Sequence, residues 1–234
     1  MSVPPTITLD RAAVSVPTPR GDLPLLHPTS VRLTEHRIAL IGSNGSGKST
    51  FARLLNGLVE PTSGTVTIDG LDTVDDGPAV RRRVGFVFTN PDAQLVMPTC
   101  LEDVALSLRR SIRGKRERTA RARAILEEIG LGDKADTTVH ALSGGQKQML
   151  ALAGVLATEP SVLVADEPTT LLDLRNTRLV ADRLFDLPQQ LVLVTHDLDL
   201  ALRCDRALVI DDARVVLDAD PAAAVAFYRA SVGA

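Results

Sequence analysis

Tryptophan is absent from this 234-residue chain, tyrosine occurs once, phenylalanine five times, and no aromatic residue precedes Phe51. The two cysteines, Cys100 and Cys204, lie far apart and outside any metal-ligand spacing. That excludes a disulfide framework and a cysteine-built metal site, and suits packing residues in a reducing compartment. No apolar run approaches the ~20 residues of a membrane-spanning helix, and the opening MSVPPTITLD lacks the basic and apolar regions of a signal peptide. A cytosolic chain is expected, with any membrane association made through a partner rather than by direct insertion. Neither sign of charge dominates. With 26 basic and 29 acidic residues, a net charge of −3, nothing in the balance calls for a nucleic-acid partner. Internal repeats, low-complexity linkers and sustained heptads are also missing.

What is present is a 44% hydrophobic chain, long enough to bury one large α/β core. The apolar runs RIALIG (37–42), VGFVF (84–88), VLVAD (162–166) and LVLVT (191–195) predict strands of a parallel sheet covered on both faces. Each hands over to a polar motif at its carboxyl end, where ligand sites of such sheets lie. TVTID (65–69) and the first 35 residues read as antiparallel strands. Residues 90–152 read as helical, with 102–108 and 120–129 the clearest helices.

GSNGSGKST (42–50) follows a predicted strand and precedes an amphipathic segment whose Phe51, Leu54, Leu55 and Leu58 are expected to face the core. This is the context of a phosphate-binding P-loop. Gly42, Gly45 and Gly47 permit the tight turn, and the backbone of Ser43, Asn44 and Ser46 completes the cradle. A helix opening at Lys48 or Ser49 adds its positive dipole end. Lys48 is expected to reach the β- and γ-phosphates, Ser49 to ligate Mg²⁺ and Thr50 to donate to the α-phosphate of ATP. In VLVADEPTT, a buried strand delivers Asp166 to the Mg²⁺ shell and Glu167 to the attacking water as general base. LVLVTHD brings His196 to the same edge, where it can contact the γ-phosphate.

LSGGQ (142–146) places Ser143, Gly144, Gly145 and Gln146 at the start of a further helix, a second anion-binding terminus. A distant insert cannot cap the open side of its own domain's γ-phosphate, whereas a facing copy can. The pattern therefore predicts a dimer, with another copy of the chain or with a paralogue, that buries two ATP molecules and opens on hydrolysis; the complete motif set favours a homodimer.

Together these motifs, in this order, resemble those of ABC-type ATPase subunits. The resemblance implies an α/β P-loop NTPase with a mainly parallel core sheet, an N-terminal antiparallel β subdomain and a helical insert. On this reading residues 1–234 are a single domain: 1–88 and 153–234 form the nucleotide-binding core, and 89–152 the helical subdomain ending in LSGGQ. Thr170–Asp173 matches the D-loop, with Asp173 coupling two sites across the dimer. Residues 86–106, FVFTNPDAQLVMPTCLEDVAL, are similar to the ATPases of energy-coupling-factor importers, and with EPTTLLDLRN to those of biotin importers. Such importers imply a membrane-embedded T component, a substrate-binding S component and a place at the cytoplasmic face of the cell membrane. Cobalt, nickel or another vitamin are alternative cargoes. A soluble ABC scaffold is the reading from another class, and an exporter is disfavoured by NPDAQ.

Two departures stand out. Thr89 occupies the position where the family's Q-loop glutamine meets Mg²⁺ and water; being shorter, it is expected to reach the metal through water and to lower basal hydrolysis. Gln94 is the candidate for the lost contact. The adenine platform, normally aromatic, is also missing, leaving Val16, Pro17 or His27 to serve. Without the ~1–3 kcal/mol of base–aromatic stacking, GTP should support hydrolysis within roughly tenfold of ATP.

Among the remaining features, eight basic residues and one acidic lie between Arg109 and Arg123, a solvated face or an attraction to anionic lipid headgroups. Arg81–Arg83 reads as a surface turn. Pro98, Glu102 and Asp103 read either as a helix start or as part of a partner groove, and AVAFYRA as a short packing helix.

Overall fold

The computed structural model describes residues 4–233. From the amino end the chain forms β1 (Ile7–Thr18), β2 (Gly21–Leu33), β3 (Arg37–Ile41), α1 (Lys48–Leu54), β4 (Ser63–Ile68), β5 (Leu71–Asp72) and α2 (Gly77–Arg83). β6 (Val84–Val87) leads to α3 (Cys100–Ser107), α4 (Lys115–Glu128) and α5 (Gly144–Leu156). After β7 (Val162–Asp166) come α6 (Leu174–Phe185), β8 (Gln190–Val194), α7 (Leu198–Ala201), β9 (Arg206–Asp211), β10 (Arg214–Ala219) and α8 (Pro221–Val232).

These elements divide into two compact units. One holds the described residues up to Val84, Ser161–Glu167 and everything from Leu187; the other holds Gly85–Pro160 and Pro168–Asp186. The sequence pattern places residues 153–234 wholly with the core, whereas here the end of α5 and all of α6 cluster with the helical unit. Packing explains the difference, because α6 lies against α5 and buries Val180, Ala181 and Leu184.

The first unit carries two sheets. β2, β1, β4 and β5 form an antiparallel sheet in that order, with Ile7 opposite both Leu33 and Ile68. The second runs β10-β9-β3-β8-β7. Its members β9, β3, β8 and β7 are parallel, and β10 returns antiparallel. Every residue of β3, β7 and β8 is buried, as the near-continuous apolar runs require of a sheet covered on both faces. The carbonyls at its amino edge are met by Arg37, whose buried guanidinium donates to Leu187 O and, at 2.7 Å, to Gln189 O.

In the helical unit α3 packs on α4 and α5. Thr99 caps α3 by accepting from Glu102 N–H, and the buried Asp103 accepts the N–H groups of Val96 and Met97, both at 2.9 Å. Asp103 thus pins the loop before its own helix.

Three local expectations change. Phe51, Leu54 and Leu55 are fully buried, but Leu58 is 47% exposed because α1 stops at Leu54 and Gly57 turns the chain at φ 68°. Arg81–Arg83 form the last turn of α2 rather than a loop. The terminal helix is 12 residues long, started by Asp220 accepting from Ala223 N–H. Both cysteines are buried free thiols, and burial pushes Cys204 up to about 12, out of reach of redox chemistry at neutral pH.

Candidate active site

The P-loop sits where β3 ends. Gly42 takes φ 151°, and a Cβ there would lie 2.0 Å from Ile210 O on β9. Gly47, the N-cap of α1, takes φ 107°, and its Cβ would lie 2.9 Å from Leu25 O. Only glycine satisfies both positions, and the backbone between them closes into a concave turn. The turn is held from below by the β9–β10 hairpin, where Ala213 N–H donates to Ser46 O at 2.9 Å and Ala213 O accepts from His27 N–H at 2.7 Å.

Lys48 is 4% exposed, and its ammonium donates to Gly42 O at 2.9 Å and Ser43 O at 2.7 Å. Burial lowers its pKa, against the opposing pull of Glu167 and Asp166. Ser46 Oγ is buried without a hydrogen-bond partner, a hydroxyl inside an anion cradle that a phosphate oxygen would satisfy. A cavity of about 460 Å³ opens over the loop, lined by Asn44, Gly45, Gly47, Lys48, Ser49, Thr50 and Glu167 and by the aliphatic Pro24, Leu25 and Ala213. Val16, Pro17 and His27 are not in this lining.

Ser49 Oγ donates to Asp166 Oδ1 at 2.9 Å. Asp166 is 2% exposed, and burial raises its pKa, opposed by the Ser49 hydrogen bond and by Arg53. The Arg53 guanidinium lies 3.8 Å from Asp166 Oδ2. The sequence reading overlooked Arg53, although its i,i+4 relation to Ser49 puts both on one face of α1. A hydroxyl and a carboxylate are hard oxygen donors of the kind Mg²⁺ takes together with substrate phosphates. Among the described residues no cluster of three or more His, Cys, Asp or Glu could hold a metal alone.

Glu167 follows on a left-handed backbone, φ 49°, with its N–H tied to Val194 O. The turn aims its carboxylate at His196, whose Nδ1 is 3.0 Å from Oε2. Because the carboxylate only accepts, the imidazole proton sits on Nδ1. A carboxylate and an imidazole thus stand side by side at the carboxyl ends of β7 and β8, and the strained backbone of Glu167 is of the kind that functional sites retain. Lys48, Ser49, Asp166, Glu167 and His196 are brought together within the first unit.

The other motif residues belong to the second unit. Ser143 caps α5 through a capping box: Gln146 N–H donates to Ser143 Oγ, and Ser143 N–H to Gln146 Oε1. Asp173 caps α6, accepting from Asn176 N–H at 2.8 Å. Thr89 follows Phe88, whose ring lies 4.7 Å from that of Phe86. Gln94 turns its amide to the backbone, Oε1 toward Phe88 N–H and Nε2 toward Ala151 O, both at 3.4 Å. A second glutamine, the buried Gln148, donates to Phe88 O at 3.3 Å. It has no sequence signal beyond following the LSGGQ motif.

A buried parallel sheet with a glycine turn, an inward lysine and an Asp-Glu strand end defines a P-loop nucleotide triphosphatase. The ABC transporter family model matches residues 26–170, and the chain belongs to that family as an ATP-binding subunit that hydrolyses ATP. It is 52% identical over 206 residues to a Deinococcus radiodurans protein with a general ABC-transporter ATP-binding name, covering 88% of this chain and 91% of that one. It is 44% identical over 204 residues to the biotin transport ATP-binding protein BioM of Rhizobium etli, covering 87% and 91%. A dimeric post-hydrolysis structure of the ATP-binding cassette MJ0796 bound to ADP and Pi superposes with a TM-score of 0.83 at 30% identity, covering 92% of this chain and 98% of that one.

Proposed function

We propose that this chain is the energising subunit of an energy-coupling-factor importer and that its cargo is biotin. The observation that carries the reading is the likeness to BioM across both chains, joined by 39% identity over 229 residues to the energy-coupling factor transporter ATP-binding protein EcfA1 of Lactiplantibacillus plantarum. In the proposed cycle Lys48 and the P-loop amides hold the phosphates, and Ser49 and Asp166 would hold Mg²⁺, which would supply positive charge against the phosphate oxygens. Glu167 takes the proton of the attacking water, and His196 orients it toward the γ-phosphate. Ser143 to Gln146 of a second copy cap that phosphate. Leu171 and Leu174, 64% and 80% exposed beside Asp173, offer apolar surface for the facing copy.

No helix of the described residues is long and apolar enough to cross a membrane, so membrane coupling passes through other chains. A groove of about 250 Å³ along α3 and α4 supports this, its lining joining the apolar Met97, Leu101, Ala105 and Leu106 to the polar Glu102, Arg109, Lys115, Arg118 and Thr119. It suits a short amphipathic helix of an integral-membrane T component, held at the cytoplasmic face of the membrane. The structural likeness to cbiO1 of Clostridium perfringens, TM-score 0.79 at 29% identity and described as part of the ABC transporter complex cbiONQ, supports a transporter role, with cobalt, nickel or another vitamin as the alternative cargoes. The test is affinity capture of the tagged chain from detergent-solubilised membranes, with mass spectrometry of what co-purifies. Two small multi-span proteins and bound biotin are expected; retained cobalt or another vitamin would replace the cargo, and soluble partners alone would overturn the importer.

A further inference from the structure

Within the helical unit, the start of α5 and the start of α6 meet through one side chain. A Cβ on Gly145 would lie 2.4 Å from both Cγ and Oδ1 of Asn176, so only a hydrogen fits between them. The Asn176 amide in turn donates from Nδ2 to Asp173 Oδ2 at 3.0 Å, while its backbone N–H donates to Asp173 Oδ1 at 2.8 Å. Both carboxylate oxygens of Asp173 are therefore engaged by one residue, and that residue is wedged against the first turn of α5. One position earlier, a Cβ on Gly144 would meet Leu172 Cδ2 at 3.7 Å and Leu171 O at 3.8 Å. The loop preceding α6 and the amino end of α5 are in van der Waals register over two successive residues.

We infer that Asn176 is a positioning residue that makes Asp173 respond to the anion-binding turn of its own subunit. Close-packed groups do not absorb a displacement; they pass it on. A phosphate drawing the N–H groups of Gly144 and Gly145 toward itself shifts the surface on which Asn176 rests, and the two bonds to Asp173 carry that shift into the loop. The inference rests on the proposal that residues 143–146 cap the γ-phosphate of a facing copy.

The discriminating variant is Asn176→Asp. It keeps the size and shape that Gly145 accommodates and leaves the backbone cap of α6 intact, but turns the donor to Asp173 into a like charge. A residue that only filled space would tolerate it. Dimerisation on ATP is measured by sedimentation for the full chain carrying Glu167→Gln, with and without Asn176→Asp, and nucleotide affinity of the monomer is titrated alongside. Losing a hydrogen bond to a charged group should weaken ATP-driven dimerisation by at least about tenfold and leave the monomer's ATP affinity within about twofold, since that site is built from other residues. If Asn176→Asp does not fold, Asn176→Ala is read against the same expectation. Undiminished dimerisation in a folded variant overturns the role of Asn176 alone. A Glu167→Gln chain that stays monomeric with ATP overturns the facing-copy proposal, and the relay with it.

Discussion

Pro24, Leu25 and Ala213 form the aliphatic part of the cavity lining, and a nucleotide base resting against them would be held without aromatic stacking. Stacking on an aromatic side chain is worth ~1–3 kcal/mol per base, which corresponds to about 5–150-fold in affinity. Leucine already supplies part of the apolar contact, so Leu25→Trp should recover the lower end, ~1 kcal/mol or about fivefold tighter ATP binding. No side chain of the three carries a polar atom, and rejection of a base by its hydrogen-bonding edge needs a buried partner left unpaired. ATP and GTP should therefore bind the parent within about tenfold of each other. The assay is direct because the parent contains no tryptophan. The introduced indole is the sole reporter of its kind, and its quenching gives both dissociation constants, with displacement of a labelled nucleotide used for the parent. A variant that binds ATP no tighter, an indole indifferent to nucleotide, or a parent preferring ATP over GTP by much more than tenfold would show that the base lies elsewhere.

Two further perturbations test the site and its support. Burial raises the pKa of Asp166 above its unfolded value, so the ionised form costs stability at neutral pH, and the cost fades as pH falls through the folded pKa and is gone below the unfolded one. Asp166→Asn should therefore melt higher than the parent at pH 7 without Mg²⁺ or nucleotide, the gap should close on acidification, and hydrolysis should be lost; a lower melting temperature at pH 7 would contradict the burial argument. A Cβ on Gly85 would stand 2.3 Å from Val155 Cγ1 and 3.1 Å from Pro160 Cγ. Gly85→Ala should cost ~1–3 kcal/mol, lowering the melting temperature by about 2–4 °C per kcal/mol, and Val155→Ala should restore part of it; no rescue would place the strain in the backbone.

The parallel strands and their carboxyl-terminal residues were readable because strands buried on both faces leave nearly unbroken apolar runs, and their polar hand-overs mark the site edge. Lys48, Ser49, Asp166, Glu167 and His196 could be picked out on that ground. The aliphatic lining of the cavity could not, because Leu25 belongs to a 13-residue strand carrying Pro24 and Pro28, and Ala213 to a turn of positive-φ residues, Asp212 and Ala213. Neither has a local signature; tertiary packing brings them together. Arg53 was legible in principle from helical spacing. Gln94 was a candidate because it matches the second glutamine of the importer-type motif, and the turn of its amide toward Phe88 and Ala151 depends on where α5 lies. The grouping of α6 with the helical unit likewise follows from contacts between segments distant in sequence.

The Lys48 ammonium, tied to the carbonyls of Gly42 and Ser43, also has a kinetic meaning. A lysine left in solvent would need to find its place after nucleotide arrived, and the loop would need to order around it. Here the charged group is already inside the turn, bonded to two carbonyls of the loop itself. Binding becomes an exchange of two carbonyl oxygens for phosphate oxygens at a fixed position rather than a search. Differences in affinity between one nucleotide and another are then expected mainly in the rate of leaving.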